Sequence, residues 1–426
     1  MRSLLVFLIL LVTTGCTLAQ ESDLARKLRE LPGVVNITPF KRDTLFSEEY
    51  EIELRQSLDH SNPDGRSFTQ HIFLSHRDAD GPTVLETEGY AARAGRAREL
   101  TRYLKGNQIV VEHRFCGKSA PDSLDWRCLT LKQSADDLHT IATLLKGIYR
   151  GRWISSGTSK GGQTTLLYRY YYPDDVDASV AYVAPVNLAQ EDPRLLAFFR
   201  TVGTPECRQR IKEYQRALFR SADRILTMVD SLISRNKMIL PLGGRLTFEY
   251  MVLEYPFAHW QYGIPCESVP DAGAPAETLF SHLNRVVGFS LYNEQGMKYF
   301  QPFQYQAYTE LGYYGYDITD FKEYLHAMNE PTNRVFAPAN VELKYNCATM
   351  QSINKWLQRE GNNIIYIYGE NDPWGATGIE LNGMTNALKM VKKGGAHGSR
   401  ISTLSPEQQE LVLSTLEKWL HLTIPR

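Results

Sequence analysis

The sequence predicts an α/β fold: a mostly parallel sheet flanked by helices and carrying a purely helical insertion. Three observations lead there. Apolar strand-like segments alternate with helical patterns over residues 45–190 and again over 336–426, the alternation stops over 191–335, and Gly157-Thr158-Ser159-Lys160-Gly161 falls directly between a strand pattern and a helix pattern. A chain of 426 residues with 43% hydrophobic and 22% charged residues has room for one large core with an insertion. Its ordinary globular composition excludes disorder, collagen-like repeats and coiled coil.

The strand candidates, in order, are 50–57, 68–75, 82–87, 108–112, 152–156, 178–184, 363–369 and 387–392. Residues 129–149 open near Thr130 and repeat Leu138, Ile141, Leu144 and Leu145 at helical spacing, 161–172 follow the glycine-rich turn, and 405–420 form a closing helix. Within the insertion, Arg208 to Ile233 reads as purely helical, with charged residues on one side and Leu218, Ile225, Leu226 and Leu232 on the other. No internal repeat or low-complexity linker separates the parts, so the insertion is expected to sit on the core as a cap.

The charge balance excludes another class. Lys and Arg total 47 against 48 Asp and Glu, a net charge of −1, which gives no bulk field to attract nucleic acid. Twenty-four Tyr and six Trp, in contrast, suit surfaces that are apolar yet able to hydrogen-bond.

Arg2, the apolar run Leu4 to Val12 and Thr17-Leu18-Ala19 before Gln20 have the three parts of a secretory leader, so residues 1–19 are expected to be removed after Ala19. Gly15-Cys16 offers the alternative of lipoprotein processing, with a lipid anchor at Cys16. Either way the protein is expected to be exported, periplasmic or extracellular, with no transmembrane segment. In such an oxidising setting Cys116 with Cys128 and Cys207 with Cys266 are candidate bridges, although the sequence does not fix connectivity, one Cys is left over, and buried free thiols are the alternative.

The pentapeptide fits G-x-S-x-G, with small residues two before and two after Ser159 so that the backbone can turn sharply and expose the hydroxyl. The following helix aims the positive end of its dipole at a reacting carbonyl. A serine nucleophile needs a base and an orienting acid, here in the order Ser, Asp/Glu, His. Ile364 to Tyr368 is a buried-strand pattern ending in Gly369-Glu370-Asn371-Asp372-Pro373-Trp374, which places Asp372, or failing it Glu370, on the loop where open α/β sheets bind ligands. His397 follows the last strand in a glycine-flanked loop before the closing helix. Ser159, Asp372 and His397 therefore read as the triad of an α/β-hydrolase core with a helical cap insertion. The oxyanion hole is expected from the backbone N–H groups of Lys160 and, after strand 82–87, of Tyr90, where Gly89 permits close approach.

Other chemistries lack their parts. The glycine-rich loop has no Gly-Lys-Ser/Thr ending, His76-Arg77-Asp78 lacks the rest of a kinase, and no H-E-x-x-H occurs among the ten His, so no metal or cofactor is expected.

Glu112-His113-Arg114-Phe115, Ser119, Pro121, Asp125-Trp126, Leu129 through Asp136-Asp137, Ser159-Lys160-Gly161-Gly162, Tyr182-Val183-Ala184-Pro185, Gly369 to Trp374 and Ala396-His397-Gly398 resemble the secreted mycelial prolyl tripeptidyl aminopeptidase family of serine peptidases. The resemblance covers nearly all of the chain after the leader, and a looser likeness runs to the lysosomal Pro-Xaa carboxypeptidases. It implies the same triad, a cap over the site, and release of di- or tripeptides from peptides with free N-termini, often after proline. Cys116 stands where a bulkier residue is expected in that family. An exopeptidase must hold a chain end, and the Tyr-rich stretch Tyr305 to Tyr314 offers Glu310 as partner for the substrate amine, with Glu88 next in line. A carboxylesterase or lipase on the same triad and a non-catalytic binding protein on the hydrolase fold are the rival readings.

Overall fold

The computed structural model describes residues 21–426; the expected leader, 1–19, and Cys16 lie outside the described residues. Nine strands form one sheet: β1 (Val34–Pro39), β2 (Glu48–Ser57), β3 (Ser67–His76), β4 (Thr83–Thr87), β5 (Asn107–Val111), β6 (Trp153–Thr158), β7 (Ala178–Tyr182), β8 (Ile364–Gly369) and β9 (Leu388–Lys392). Their order is β1-β2-β3-β5-β4-β6-β7-β8-β9. Pairing is antiparallel from β1 to β5 and parallel from there to β9. The central strands β4 and β5 are buried along their whole length, as expected where helices cover both faces. Eight of the nine strands stand within two residues of their expected ends. The ninth, β1, is an edge strand in which Ile37 alone is buried, so it carries no alternation to read.

Before the insertion come helices α1 (Asp23–Glu30), α2 (Glu99–Leu104), α3 (Leu131–Lys146) and α4 (Lys160–Tyr171). Thr130 caps α3 by accepting the Gln133 N–H, and Leu138, Ile141 and Leu145 turn inward beneath the sheet, as their spacing requires. Between β7 and β8 stand α5 (Pro193–Phe199), α6 (Pro205–Arg220), α7 (Ala222–Asn236), α8 (Gly243–Gln261), α9 (Ala276–Val286) and α10 (Glu294–Gln306). The segment from Arg208 to Ile233 is helical as expected, in two helices that meet at Ser221, whose ψ of 10° leaves the helical region. Both halves are amphipathic, so the apolar spacing alone did not reveal the break. Helices α11 (Cys347–Arg359) and α12 (Pro406–Leu420) complete the fold, α12 starting from a capping box made by Ser405 and Gln408.

The insertion has its own apolar core, in which Tyr214, Phe248, Met251, Tyr255, Leu279 and Leu283 pack together. Helix α8 is its axis and is buried on nearly every side from Thr247 to Trp260. A second cluster joins insertion and sheet: Phe257, Phe303, Tyr313 and Tyr314 pack with Tyr366, Tyr368 and Trp374. Truncating Phe257 to Ala would cost about 3–5 kcal/mol if that cluster does not collapse.

Cys207 and Cys266 form the candidate disulfide, from the start of α6 to the turn after α8, with 59 residues of sequence separation. The candidate Cys116–Cys128 bridge is absent, and both are free thiols. Burial pushes the Cys116 thiol up to about 12, with Lys160 opposing and Glu112 adding to the rise, whereas Cys128 is half-buried beside Asp125 and Asp59. Nearness in sequence does not bring their side chains into one environment. The double variant Cys207→Ser/Cys266→Ser should lose about 2–4 kcal/mol of stability through regained loop entropy, read as a lower unfolding midpoint; an unchanged midpoint contradicts a formed bridge.

Candidate active site

The site begins with a constrained backbone. Ser159 follows β6 directly and precedes α4 with φ 58° and ψ −124°, outside the ordinary regions for a residue with a Cβ. Added methyl groups show why glycines flank it: a Cβ on Gly157 would lie 2.2 Å from the Gly161 carbonyl oxygen, and one on Gly161 would lie 2.5 Å from the Thr87 carbonyl oxygen. The Thr87 hydroxyl sits within 2.8 Å of the Gly161 carbonyl oxygen, 3.1 Å of the Ser156 carbonyl oxygen and 2.7 Å of the Thr165 hydroxyl. Ser159 N–H donates to the Tyr182 carbonyl at 2.8 Å. The end of β4 and the end of β7 thus grip the turn from either side.

The same grip brings the expected oxyanion donors together. Lys160 opens α4, where first-turn N–H groups have no helical acceptor. A Cβ on Gly89 would lie 2.5 Å from the Lys160 Cβ, so the loop after β4 rests directly on the elbow. Tyr90 N–H has no hydrogen-bond partner among the described residues, while its carbonyl accepts the His113 N–H at 3.1 Å. Glu112 ties the loop down by accepting the Ala92 N–H at 2.7 Å and the N–H and hydroxyl of Ser119 at 2.8 and 2.9 Å. Two residues on, Arg114 is wholly buried, forks onto Asp137 at 2.7 and 2.8 Å and donates to the Leu58 carbonyl at 3.1 Å. Glu112 to Arg114 therefore brace the loop behind the site.

At the same, C-terminal edge of the sheet, Asp372 follows β8 and His397 follows β9. His397 Nδ1 and Asp372 Oδ2 are 2.8 Å apart, with Asp372 fully buried and His397 open on one side. Glu370, the fallback acid, instead accepts the N–H of Gly394, in the loop after β9, at 2.7 Å. An ionised Asp372 fixes the proton on Nδ1 and leaves Nε2 as a bare acceptor, the tautomer that a general base requires. Both loops are fastened to the insertion. His397 N–H donates to the Gln261 carbonyl at the end of α8 at 3.0 Å, and Trp374, whose N–H reaches Asp372 Oδ1 at 3.2 Å, meets the Phe257 ring edge-on at 5.0 Å.

The two carboxylates expected to hold a substrate amine are otherwise engaged. Glu310 lies in a π-helical turn over Ala307–Leu311 and accepts the Leu131 N–H at 2.8 Å, capping α3; burial raises its pKa and that hydrogen bond opposes the rise. Glu88 pairs with Arg98, which also reaches Glu86 at 3.5 Å. The sequence reading passed over a third acid, Glu254. It is buried within α8, 2.8 Å from the Tyr316 hydroxyl and 2.9 Å from that of Tyr314, and burial pushes it up to about 7. Its signal was present: an acid in the middle of a helix that is apolar on all sides has to be accounted for.

Lys160 is also unusual, since its ammonium is buried 3.2 Å from His113 Nε2 and over the Tyr90 ring. Burial lowers it to about 8, and burial together with the nearby Lys160 charge drives His113 well below the usual histidine range. His113 Nδ1 lies 2.8 Å from the Arg114 carbonyl, so it carries the proton and Nε2 accepts from Lys160. Because the folded protein releases the Lys160 proton near pH 8 and the unfolded chain near 10.5, the unfolded state binds more protons between those values, and stability rises with pH across that window. Relative to Lys160→Met, the wild type should gain on the order of 2 kcal/mol from pH 7 to pH 10 in denaturant titrations. A difference that stays constant with pH contradicts a buried, proton-releasing Lys160.

The family model of PS-10 peptidase S37 matches residues 19–424. Prolyl tri/tetrapeptidyl aminopeptidase of Streptomyces mobaraensis is 31% identical over 414 residues, covering 94% of this chain and 86% of that protein. Lysosomal Pro-X carboxypeptidase of Bos taurus is 21% identical over 481 residues, 97% of this chain and 96% of its own. Among solved structures, proline iminopeptidase of Mycobacterium smegmatis aligns with 87% of this chain and 99% of its own at 13% identity and a TM-score of 0.41. The family match takes in both parts of the sheet together with the helical insertion, so the chain as a whole, and not its elbow alone, belongs to the PS-10 peptidase S37 family of serine peptidases.

Proposed function

We propose that the protein is an exported serine exopeptidase that releases di- or tripeptides from free N-termini and favours proline at the cleaved residue. The observation that carries the chemistry is the Asp372–His397 hydrogen bond at the sheet edge where Ser159 sits on its elbow. In this mechanism His397 Nε2 takes the Ser159 proton as Oγ attacks the scissile carbonyl, and the imidazolium that forms is stabilised by Asp372. The backbone N–H groups of Lys160 and Tyr90 receive the oxyanion. His397 then protonates the leaving amine, and water, activated by the same imidazole, releases the N-terminal fragment from Ser159.

The substrate class is supported by the Streptomyces mobaraensis relative, named for prolyl tri- and tetrapeptidyl release. The aromatic lining agrees with it: Tyr313, Tyr314, Phe257 and Trp374 gather beside the Asp372 loop, Tyr314 stacking on Phe257 at 4.1 Å. Such rings suit a proline side chain better than the long apolar trough a lipase needs. Export is supported by the leader pattern before Gln20 and by the Cys207–Cys266 disulfide, since disulfides persist in oxidising compartments. No helix among the described residues is long and apolar enough to cross a membrane.

Mass spectrometry of products from a library of peptides with free N-termini should show N-terminal di- or tripeptides ending in proline. Internal fragments, or ester hydrolysis with no peptide cleavage, would replace this reading with an endopeptidase or esterase. Asp372→Asn should lower kcat on the order of 10⁴-fold with the fold intact, and Glu370→Gln should stay within a few-fold of wild type. The reverse pattern would move the orienting acid to Glu370.

A further inference from the structure

Glu254 is a buried carboxylate with no cation beside it. Among the described residues it makes no ion pair, and its only donors are phenols: Tyr314 at 2.9 and 3.0 Å to its two oxygens, and Tyr316 at 2.8 Å. Even these are fewer than they look. Tyr316 has one proton for two acceptors, Glu254 and Asn333 Oδ1 at 2.7 Å, and the Asn333 amide is fixed in place by donating to the Tyr314 carbonyl at 3.0 Å. An ionised carboxylate accepts about four hydrogen bonds, so Glu254 is left well short.

A second buried polar group beside it is also unserved. The Tyr292 hydroxyl is fully buried with no hydrogen-bond partner among the described residues, and after burial the Glu254 charge is the largest influence raising its pKa. The same charge acts on Tyr262 and Tyr313, so the carboxylate lies among phenols without a basic side chain to neutralise it. A lone buried anion of this kind costs several kcal/mol unless a cation reaches it.

Its place in the fold fits an amine delivered by a substrate. Glu254 is on the helix whose last carbonyl, Gln261, touches the His397 loop, and it precedes that contact by about two turns, roughly 10 Å. Phe257, between the two, packs against Trp374 of the Asp372 loop. An extended peptide covers about 10 Å in three residues.

We propose that Glu254, with the Tyr292 hydroxyl beside it, binds the α-ammonium group of the peptide substrate and measures the tripeptide distance from the scissile bond. The ammonium brings three donors and the missing charge: Glu254 accepts at the oxygen that Tyr314 and Tyr316 leave underused, and Tyr292 accepts through its hydroxyl oxygen. Tyr314 and Tyr316 are positioning residues that aim the carboxylate. This inference rests on the aminopeptidase reading above and replaces Glu310 and Glu88 as the amine site, since those two are held by α3 and by Arg98.

The test is the ratio of kcat/KM for Ala-Ala-Pro-p-nitroanilide to that for its N-acetylated form, measured in wild type, Glu254→Gln, Glu310→Gln and Tyr314→Phe. Wild type should favour the free amine by at least about thirtyfold, Glu254→Gln should bring the ratio to within about threefold of unity, and Glu310→Gln should leave the ratio high. Should Glu254→Gln fail to fold, Tyr314→Phe, which keeps the ring, carries the test and should lower the ratio at least about threefold. A ratio that survives in Glu254→Gln, or in Tyr314→Phe when that variant decides, overturns the assignment while leaving the aminopeptidase reading intact. A wild type that cleaves both peptides equally overturns the aminopeptidase reading itself, and the assignment with it.

Discussion

The arrangement of the site depends on one constraint: a residue with a side chain must occupy φ 58° directly after β6. Such a conformation costs about 1–3 kcal/mol and persists only where the surroundings leave no alternative. Here the alternatives are removed from three sides. Gly157 and Gly161 bring two stretches of backbone closer than any Cβ allows, Thr87 clamps the turn from β4, and the Tyr182 carbonyl takes the Ser159 N–H from β7. The same contacts point α4 at the sheet edge and press the loop of Gly89 and Tyr90 onto Lys160. The two proposed oxyanion donors are thus placed by the elbow itself and are not separate additions to it.

The second organising element is α8. A nineteen-residue helix buried nearly all round is expensive to expose, and this one spends its burial in two directions. Toward the insertion it packs Phe248, Met251 and Tyr255 with α6 and α9. Toward the sheet it sets Phe257 against Trp374 and its terminal carbonyl against the His397 N–H. The loops that carry Asp372 and His397 are therefore held partly by the insertion, and an acid on α8 stands at a fixed distance from them. On the proposed reading, recognition of the chain end and orientation of the base would share one rigid part.

Much of this was legible in the amino-acid order because the physics behind it is local. Ile364 to Tyr368 is a continuous apolar run, so β8 and the loop bearing Asp372 could be placed, and the glycines around Ser159 announce a tight turn whatever follows. The residues missed are those whose role is set by distant partners. β1 is an edge strand with one buried side chain, and the break at Ser221 lies between two helices of like pattern. Cys116 and Cys128 are close in sequence but face different surroundings. Glu310 stood in the Tyr-rich stretch that drew attention, yet a backbone N–H of α3 takes it. Glu254 belongs to no motif, and only the folded chain shows that no cation among the described residues accompanies it.

The central claim is that Ser159, made nucleophilic by His397 and Asp372, performs the chemistry. Reaction with an aryl phosphonate followed by peptide mapping by mass spectrometry tests it most directly, because the reagent marks an activated serine irrespective of peptide specificity. The account predicts a single adduct on Ser159 in the wild type and a labelling rate reduced on the order of a thousandfold or more in His397→Ala. An adduct on another serine, or labelling of Ser159 that is indifferent to the loss of His397, would contradict it.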